Sequence, residues 1–188
     1  MMEGMQLASG MLLVATPALQ DPNFAETVVL LLDVNDEGAL GVVLNRPSQV
    51  LVADVLESWR DTVAEPEVLF RGGPVGTDGA LAVARLRDPD DVPVGWRPVA
   101  GLLGMVDLDT PTELVDGSLS AMRVFAGYAG WGAGQLDGEV EEGSWYVVTG
   151  EASDAFRVDT SGLRRDVIRR QPGMLAWHVN RPVDPDMN

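Results

Sequence analysis

The chain has 188 residues with no cysteine and no lysine, and its 13 arginines face 29 acids for a net charge of −16. That balance excludes disulfide, thiolate and Schiff-base chemistry and any P-loop, and it opposes a phosphate backbone or an anionic membrane surface as partner. With no run of about 18 uncharged apolar residues and an acidic N-terminus lacking a basic n-region, no transmembrane helix, no signal peptide and a cytoplasmic location are expected.

The length predicts one domain over residues 1–188, with 1–9 and 182–188 disordered. Residues 10–15 are a short apolar run and predict a strand, followed by a Pro- and Asp-bearing loop over 16–23. Residues 26–33 are β-branched and almost wholly apolar, the pattern of a strand covered on both faces. Asn35-Asp-Glu-Gly38 is a hairpin turn, 39–44 its antiparallel partner, and Asn45-Arg-Pro-Ser48 ends that strand, since Pro47 has no N–H for a central ladder. Val52, Val55, Leu56 and Trp59 have helical spacing and predict one helix with one face inward. Further strands are expected at 68–70 and 80–86, with a surface loop at 87–95 and a strand pair between 99 and 108. One or two helical turns are expected at 111–116, with Thr110 as cap and Pro111 in the first helical position. Residues 120–126 read as a buried strand, 127–134 as a glycine loop, 135–142 as a short acidic helix, 144–149 as a strand and 164–170 as a basic helix ending near Pro172-Gly173. Strands outnumber helices and helices fall between some of them, which predicts an α+β domain on a mixed, strongly curved sheet.

Five of the 21 glycines lie between 127 and 138, around Tyr128 and Trp131. Gln135 and Glu139 follow, four apart on one helix face. Such a cluster lines a pocket; equally, the glycines permit close strand–helix packing and Trp131 is core. Asn45-Arg46-Pro47 and Arg71-Gly72-Gly73-Pro74 also follow predicted strands. If the three segments converge, Asn45, Arg46, Arg71, Gly72 and Gly73 join Tyr128, Trp131, Gln135 and Glu139 in a site for a carboxylate, a phosphate or a peptide terminus. The alternative is that Arg46 and Arg71 pair with Glu139 or Asp137 and lock the loops.

The hydrolytic templates fail. His178 is the single histidine and no G-x-S-x-G elbow exists, so no triad, histidine metal cluster or cofactor is expected. Glu139 is the one acid or base candidate for a carboxylate-dependent enzyme acting on a small anionic substrate. The four arginines of 164–170 make either an anionic contact, such as RNA, or a solvated face pairing with the acidic surface; the net charge favours the second.

Gly10-Met-Leu-Leu-Val-Ala-Thr-Pro-Ala-Leu-Gln-Asp-Pro-Asn-Phe24, Thr27-Val-Val-Leu-Leu31, Gly38-Ala-Leu-Gly-Val-Val-Leu-Asn-Arg-Pro47, Gly72-Gly-Pro-Val75, Gly127-Tyr-Ala-Gly-Trp131 and Gly134-Gln-Leu-Asp137 together resemble the YqgE/AlgH family, in the family's order. The tail after residue 150 matches only loosely. The resemblance implies a single mixed domain with a bifurcated sheet containing a small closed barrel, wrapped by helices, in a bacterial cytoplasmic protein. It implies no reaction, although some members carry the label of transcriptional regulator. Where many relatives have histidines this chain has Val34 and Ala84; Arg71 stands where a glycine or apolar residue is frequent, and Asp137 where a glutamate is usual. Shape is kept and imidazoles are lost, which fits a binding module better than a catalyst. The expected partner is a small anionic ligand or another protein, without direct nucleic-acid or membrane binding. A regulator would then act through protein contacts.

Overall fold

The two apolar runs near the N-terminus build one wing of the sheet. In the computed structural model, which describes residues 6–172, they form β1 (Leu12–Ala15) and β2 (Val28–Asn35). Leu12, Val14 and Leu30 face one core cluster, while Leu13, Val29 and Leu31 face another, so both sides of these strands are covered. The 35–38 turn delivers β3 (Gly38–Val43) as the antiparallel partner of β2. Pro47 does not simply end a strand. It opens the edge strand β4 (Pro47–Leu51), where its missing N–H is harmless, and β4 pairs only with β5 (Val68–Arg71).

The other wing is β6 (Val75–Leu86), β7 (Trp96–Ala100) and β8 (Leu103–Val106). The wings share β9 (Leu119–Gly132), and β10 (Trp145–Val148) closes the first beside β1. The order along the main path is β10-β1-β2-β3-β9-β6-β8-β7, antiparallel throughout. β5 runs parallel to β9, which makes the sheet mixed. The sheet curls until its far edge nears its beginning: a Cβ on Gly10 would meet that of Ala100, and Arg97 of β7 pairs with Asp33 of β2 at 3.4 Å. The curved α+β architecture expected from the sequence is the one the chain forms.

Residues 127–132 are the main correction. They continue the strand and are no loop. Before Gly127, Met122 and Val124 face one cluster and Phe125 another. After it, Ala129 and Trp131 enter the third cluster and Tyr128 packs on the first. The alternation therefore changes sides at Gly127, whose φ of +73° suits glycine. β9 pairs with β5 through Phe125 and Ala126 and with β3 from Ala129 onward. Gly127 is the fork of the sheet.

The helices are short. Of the helix expected over 52–59, α1 covers Val52–Val55 and a 3₁₀ turn covers Glu57–Trp59; Leu56 between them leaves helical geometry at φ −139°. Val52 and Trp59 are buried but Val55 is exposed, because the Trp59 indole turns inward to donate to the Leu108 carbonyl at 3.2 Å. At 111–116 the chain makes 3₁₀ turns, Thr112–Leu114 and Asp116–Ser118, with Pro111 as the preceding residue and no side-chain cap. The acidic helix is α2 (Gln135–Glu141). The basic helix is α3 (Leu163–Arg169), which buries Leu163, Val167 and Ile168 in the first cluster. Two of the four arginines bind within this chain: Arg164 donates twice to the Ala15 carbonyl, and Arg170, just beyond the helix, pairs with the buried Asp154 and with Glu151. These charge-assisted bonds raise the Arg170 pKa, its hydrogen bond with Asp154 contributing most. Leu7 packs on the third cluster, so order begins before residue 10. His178 and the expectation for 182–188 lie outside the described residues.

β9 also carries a buried cation. Arg123 is 1% exposed and has no carboxylate partner among the described residues. Its guanidinium lies 4.2 Å from the Phe70 ring centre and donates to the carbonyls of Glu65, Ala155 and Arg157 at 2.6, 3.2 and 2.8 Å. Nε has no hydrogen-bond partner among the described residues. Two segments distant in sequence, one at Glu65 and one at 155–157, thus meet on one side chain of β9.

Candidate functional site

Backbone pairing brings the three proposed segments together, and the side chains then separate. The Arg71 amide donates to the Arg46 carbonyl at 2.8 Å, the Gly72 amide to Ala126 at 2.9 Å, and the Val43 amide to Gly72 at 2.8 Å. A Cβ on Gly72 would fall into the Gly127 carbonyl and one on Gly73 into that of Tyr128. These glycines are therefore needed for close backbone approach at the fork. The Gly72 amide is already committed and has no N–H left for an anion.

Asn45 and Arg46 turn away, toward the loop that precedes β2. Asn45 accepts from the Val28 amide and donates to the Glu26 carbonyl, both at 3.0 Å. Glu26 is the one described non-glycine residue at positive φ, +64°, and Asn45 holds the backbone on either side of it. Arg46 donates to the carbonyls of Pro22, Asn23 and Ala25 at 3.0, 2.6 and 3.1 Å. Both side chains are spent on organising residues 22–28. Neither joins the expected cleft, and Arg46 pairs with neither Asp137 nor Glu139.

Trp131, Gln135 and Glu139 form a second, closed group. One Glu139 carboxylate oxygen accepts from the Trp131 and Trp145 indoles at 3.1 and 3.0 Å; the other accepts from the Gln135 amide at 3.0 Å. Gln135 in turn accepts from the Gly132 amide at 3.0 Å. Phe24 stacks on Trp131 at 6.1 Å and meets Trp145 edge-on at 5.7 Å. A carboxylate so occupied clamps α2 to β9 and β10. Phe24, in the loop before β2, and Trp145, on β10, escape sequence reasoning because only the folded chain brings them to Trp131; their aromatic character is the available signal.

Trp131 is 6% exposed, so Trp131→Ala is expected to cost about 3–5 kcal/mol of stability through cavity formation. Urea unfolding measures the loss. An unchanged midpoint with lost ligand binding would instead return Trp131 to the site.

What remains open to solvent is a groove of about 650 Å³ between β4 and the fork. Pro47, Val50 and Leu69 supply an apolar part of its wall, and Ser48, Gln49, Arg71 and Thr77 a polar part, with Gly73 and Ala126 between. Arg71 is exposed, and its guanidinium has no hydrogen bond or ion pair among the described residues. Tyr128 lies behind the fork, half-buried on the first core cluster. Of the nine site candidates, Arg71 and Gly73 line this groove. No described helix is long and apolar enough to cross a membrane, and no described group of three or more His, Cys, Asp or Glu side chains is arranged to hold a metal.

The AlgH-like family model matches residues 12–176. A UPF0301 protein of Streptomyces avermitilis is 53% identical, with 96% of this chain and 95% of the relative covered. One of Mycobacterium tuberculosis is 42% identical, covering 97% and 92%. Among solved structures, a crystal structure of a Corynebacterium diphtheriae protein superposes with a TM-score of 0.87 at 33% identity, over 94% of this chain and 93% of that one. The solution structure of the AlgH protein from Pseudomonas aeruginosa gives a TM-score of 0.68 at 26% identity, over 96% and 100%. The overall fold is thus shared along nearly the whole chain, which belongs to the AlgH-like family.

Proposed function

We propose that the chain is a binding domain and that the groove beside Arg71 takes a ligand bearing a carboxylate or a phosphate. One observation carries this reading: a guanidinium unpaired among the described residues, at a groove with an apolar wall, in a chain where 29 acids compete for 13 arginines. A guanidinium left open in such surroundings is available for bidentate recognition of a planar anion. The apolar wall of Pro47, Val50 and Leu69 suits the uncharged part of the ligand.

The test is an amide NMR titration of labelled protein against small carboxylates, phosphate monoesters and tripeptides with free carboxy termini. Shifts are expected at 48–50, 69–73, 77 and 126, and Arg71→Gln is expected to weaken binding at least tenfold while unfolding at the same urea concentration. Shifts centred elsewhere, or binding indifferent to Arg71→Gln, would remove the basis for this site.

A further inference from the structure

A second groove lies on the other side of the β6 arm. Between Val75 and Ala80, β6 advances five residues while its β9 partners advance only from Tyr128 to Ala126, so 76–79 bulge from the ladder. Neighbouring side chains in extended chain point opposite ways. Thr77 accordingly lines the Arg71 groove, and Asp78 lines a separate groove of about 530 Å³. Leu81, Met105 and Leu108, all half-buried, give this second groove an apolar surface. Asp78, Asp107 and Asp109 bring exposed carboxylates to it. Arg97 also lines it, but its guanidinium is paired with Asp33 of β2. The three aspartates therefore have no cationic partner among the described residues. Among the described residues, the Asp107 carboxylate accepts only the Asp109 amide, at 2.9 Å.

We infer that this groove docks a basic, partly apolar segment of another protein, an extended stretch in which leucine-like side chains alternate with arginine or lysine. The argument is charge complementarity joined to shape. Unneutralised carboxylates beside apolar surface gain most from a partner that brings cation and hydrocarbon together. Met105 adds an adaptable contact. The chain's net charge of −16 steers such a partner toward the protein, and the groove decides where it seats. This inference does not rest on the Arg71 site, which asks for the opposite charge.

General attraction between a basic peptide and an acidic protein must be separated from docking. The probe is a capped, fluorescein-labelled decapeptide of alternating leucine and arginine, compared by anisotropy with one of alternating serine and arginine. The leucine peptide is expected to bind at least tenfold more tightly. Asp78→Asn/Asp109→Asn is expected to weaken it about tenfold, whereas Glu141→Gln/Glu142→Gln, with the same change of net charge at the C-terminal end of α2, is expected to weaken it less than twofold. Equal binding of the two peptides, equal effects of the two double variants, or no binding at all would each overturn the inference. A concentration-dependent dimer in sedimentation, dissociated by Asp78→Asn/Asp109→Asn, would also overturn it by making a second copy of this chain the occupant.

Discussion

Replacing Arg123 by methionine is expected to lower the stability of the protein by about 2–4 kcal/mol. Methionine fills much of the space beside Phe70, so the cavity contribution is small. Three carbonyls, of Glu65, Ala155 and Arg157, then lose their donor. A buried acceptor left without a partner costs about 1–3 kcal/mol. Removing a desolvated charge offsets part of that cost, because burying a guanidinium without a carboxylate is itself unfavourable. Arg123→Lys keeps the charge, but a compact ammonium does not reach all three carbonyls as a planar fork does, and its loss is expected to fall between wild type and Arg123→Met. Urea midpoints decide it: an Arg123→Met variant as stable as wild type would show that the buried charge costs as much as its three bonds contribute.

The alkaline behaviour of Arg123 follows from the same burial. Desolvation pushes its pKa well below the usual arginine value, down to about 10. The folded value lies below the unfolded one, so between those values the unfolded chain holds more protons and stability from this group rises with pH. The gap between wild type and Arg123→Met should be flat from about pH 6 to about pH 9 and widen above pH 10.

Gly127→Ala is expected to be at least as damaging, at about 3 kcal/mol or more. An alanine at φ +73° meets the left-handed penalty of about 1–2 kcal/mol. Its Cβ would also lie 2.5 Å from the Gly73 carbonyl oxygen and 3.0 Å from that of Val75. Both belong to backbone pinned by neighbouring strands, so relief requires moving the fork. By the usual conversion for a chain of this size, the melting temperature should fall by roughly 6–12 °C. Gly134→Ala is the comparison: φ is +74° but no atom lies within 4 Å of its Cβ site. Its loss should be limited to about 1–2 kcal/mol. Equal losses at the two positions would show that backbone conformation, and not crowding, makes Gly127 necessary.

The amino-acid sequence shows local structure where local chemistry is decisive. β1, the β2–β3 hairpin, α2, β10 and α3 follow from apolar runs, a turn cluster and helical spacing. The misread stretches are those where a distant partner decides. Glycines at 127–132 look like a loop from within the chain; they are strand because β5 and β3 approach β9 there in turn. The helical spacing of 52–59 is genuine, but the Leu108 carbonyl draws Trp59 away from it. The candidate site shows the same division. Which segments meet was legible from punctuation after strands. Which way each side chain turns was not, because Asn45 and Arg46 answer to carbonyls of residues 22–26, and no spacing pattern marks a carbonyl as an acceptor.

The position of β9 in the chain has a consequence for biosynthesis. Its residues emerge from the ribosome about 90 residues after β3 is complete, which at about 5–20 residues per second is roughly 5–20 s. Throughout that interval the β3 edge that will receive β9 lacks its partner, and β1 waits longer still for β10. Pairing across such separations is slow in any chain. A nascent copy thus passes through a stage with apolar strands and open edges, and neighbouring copies on one message are at their most prone to join each other then.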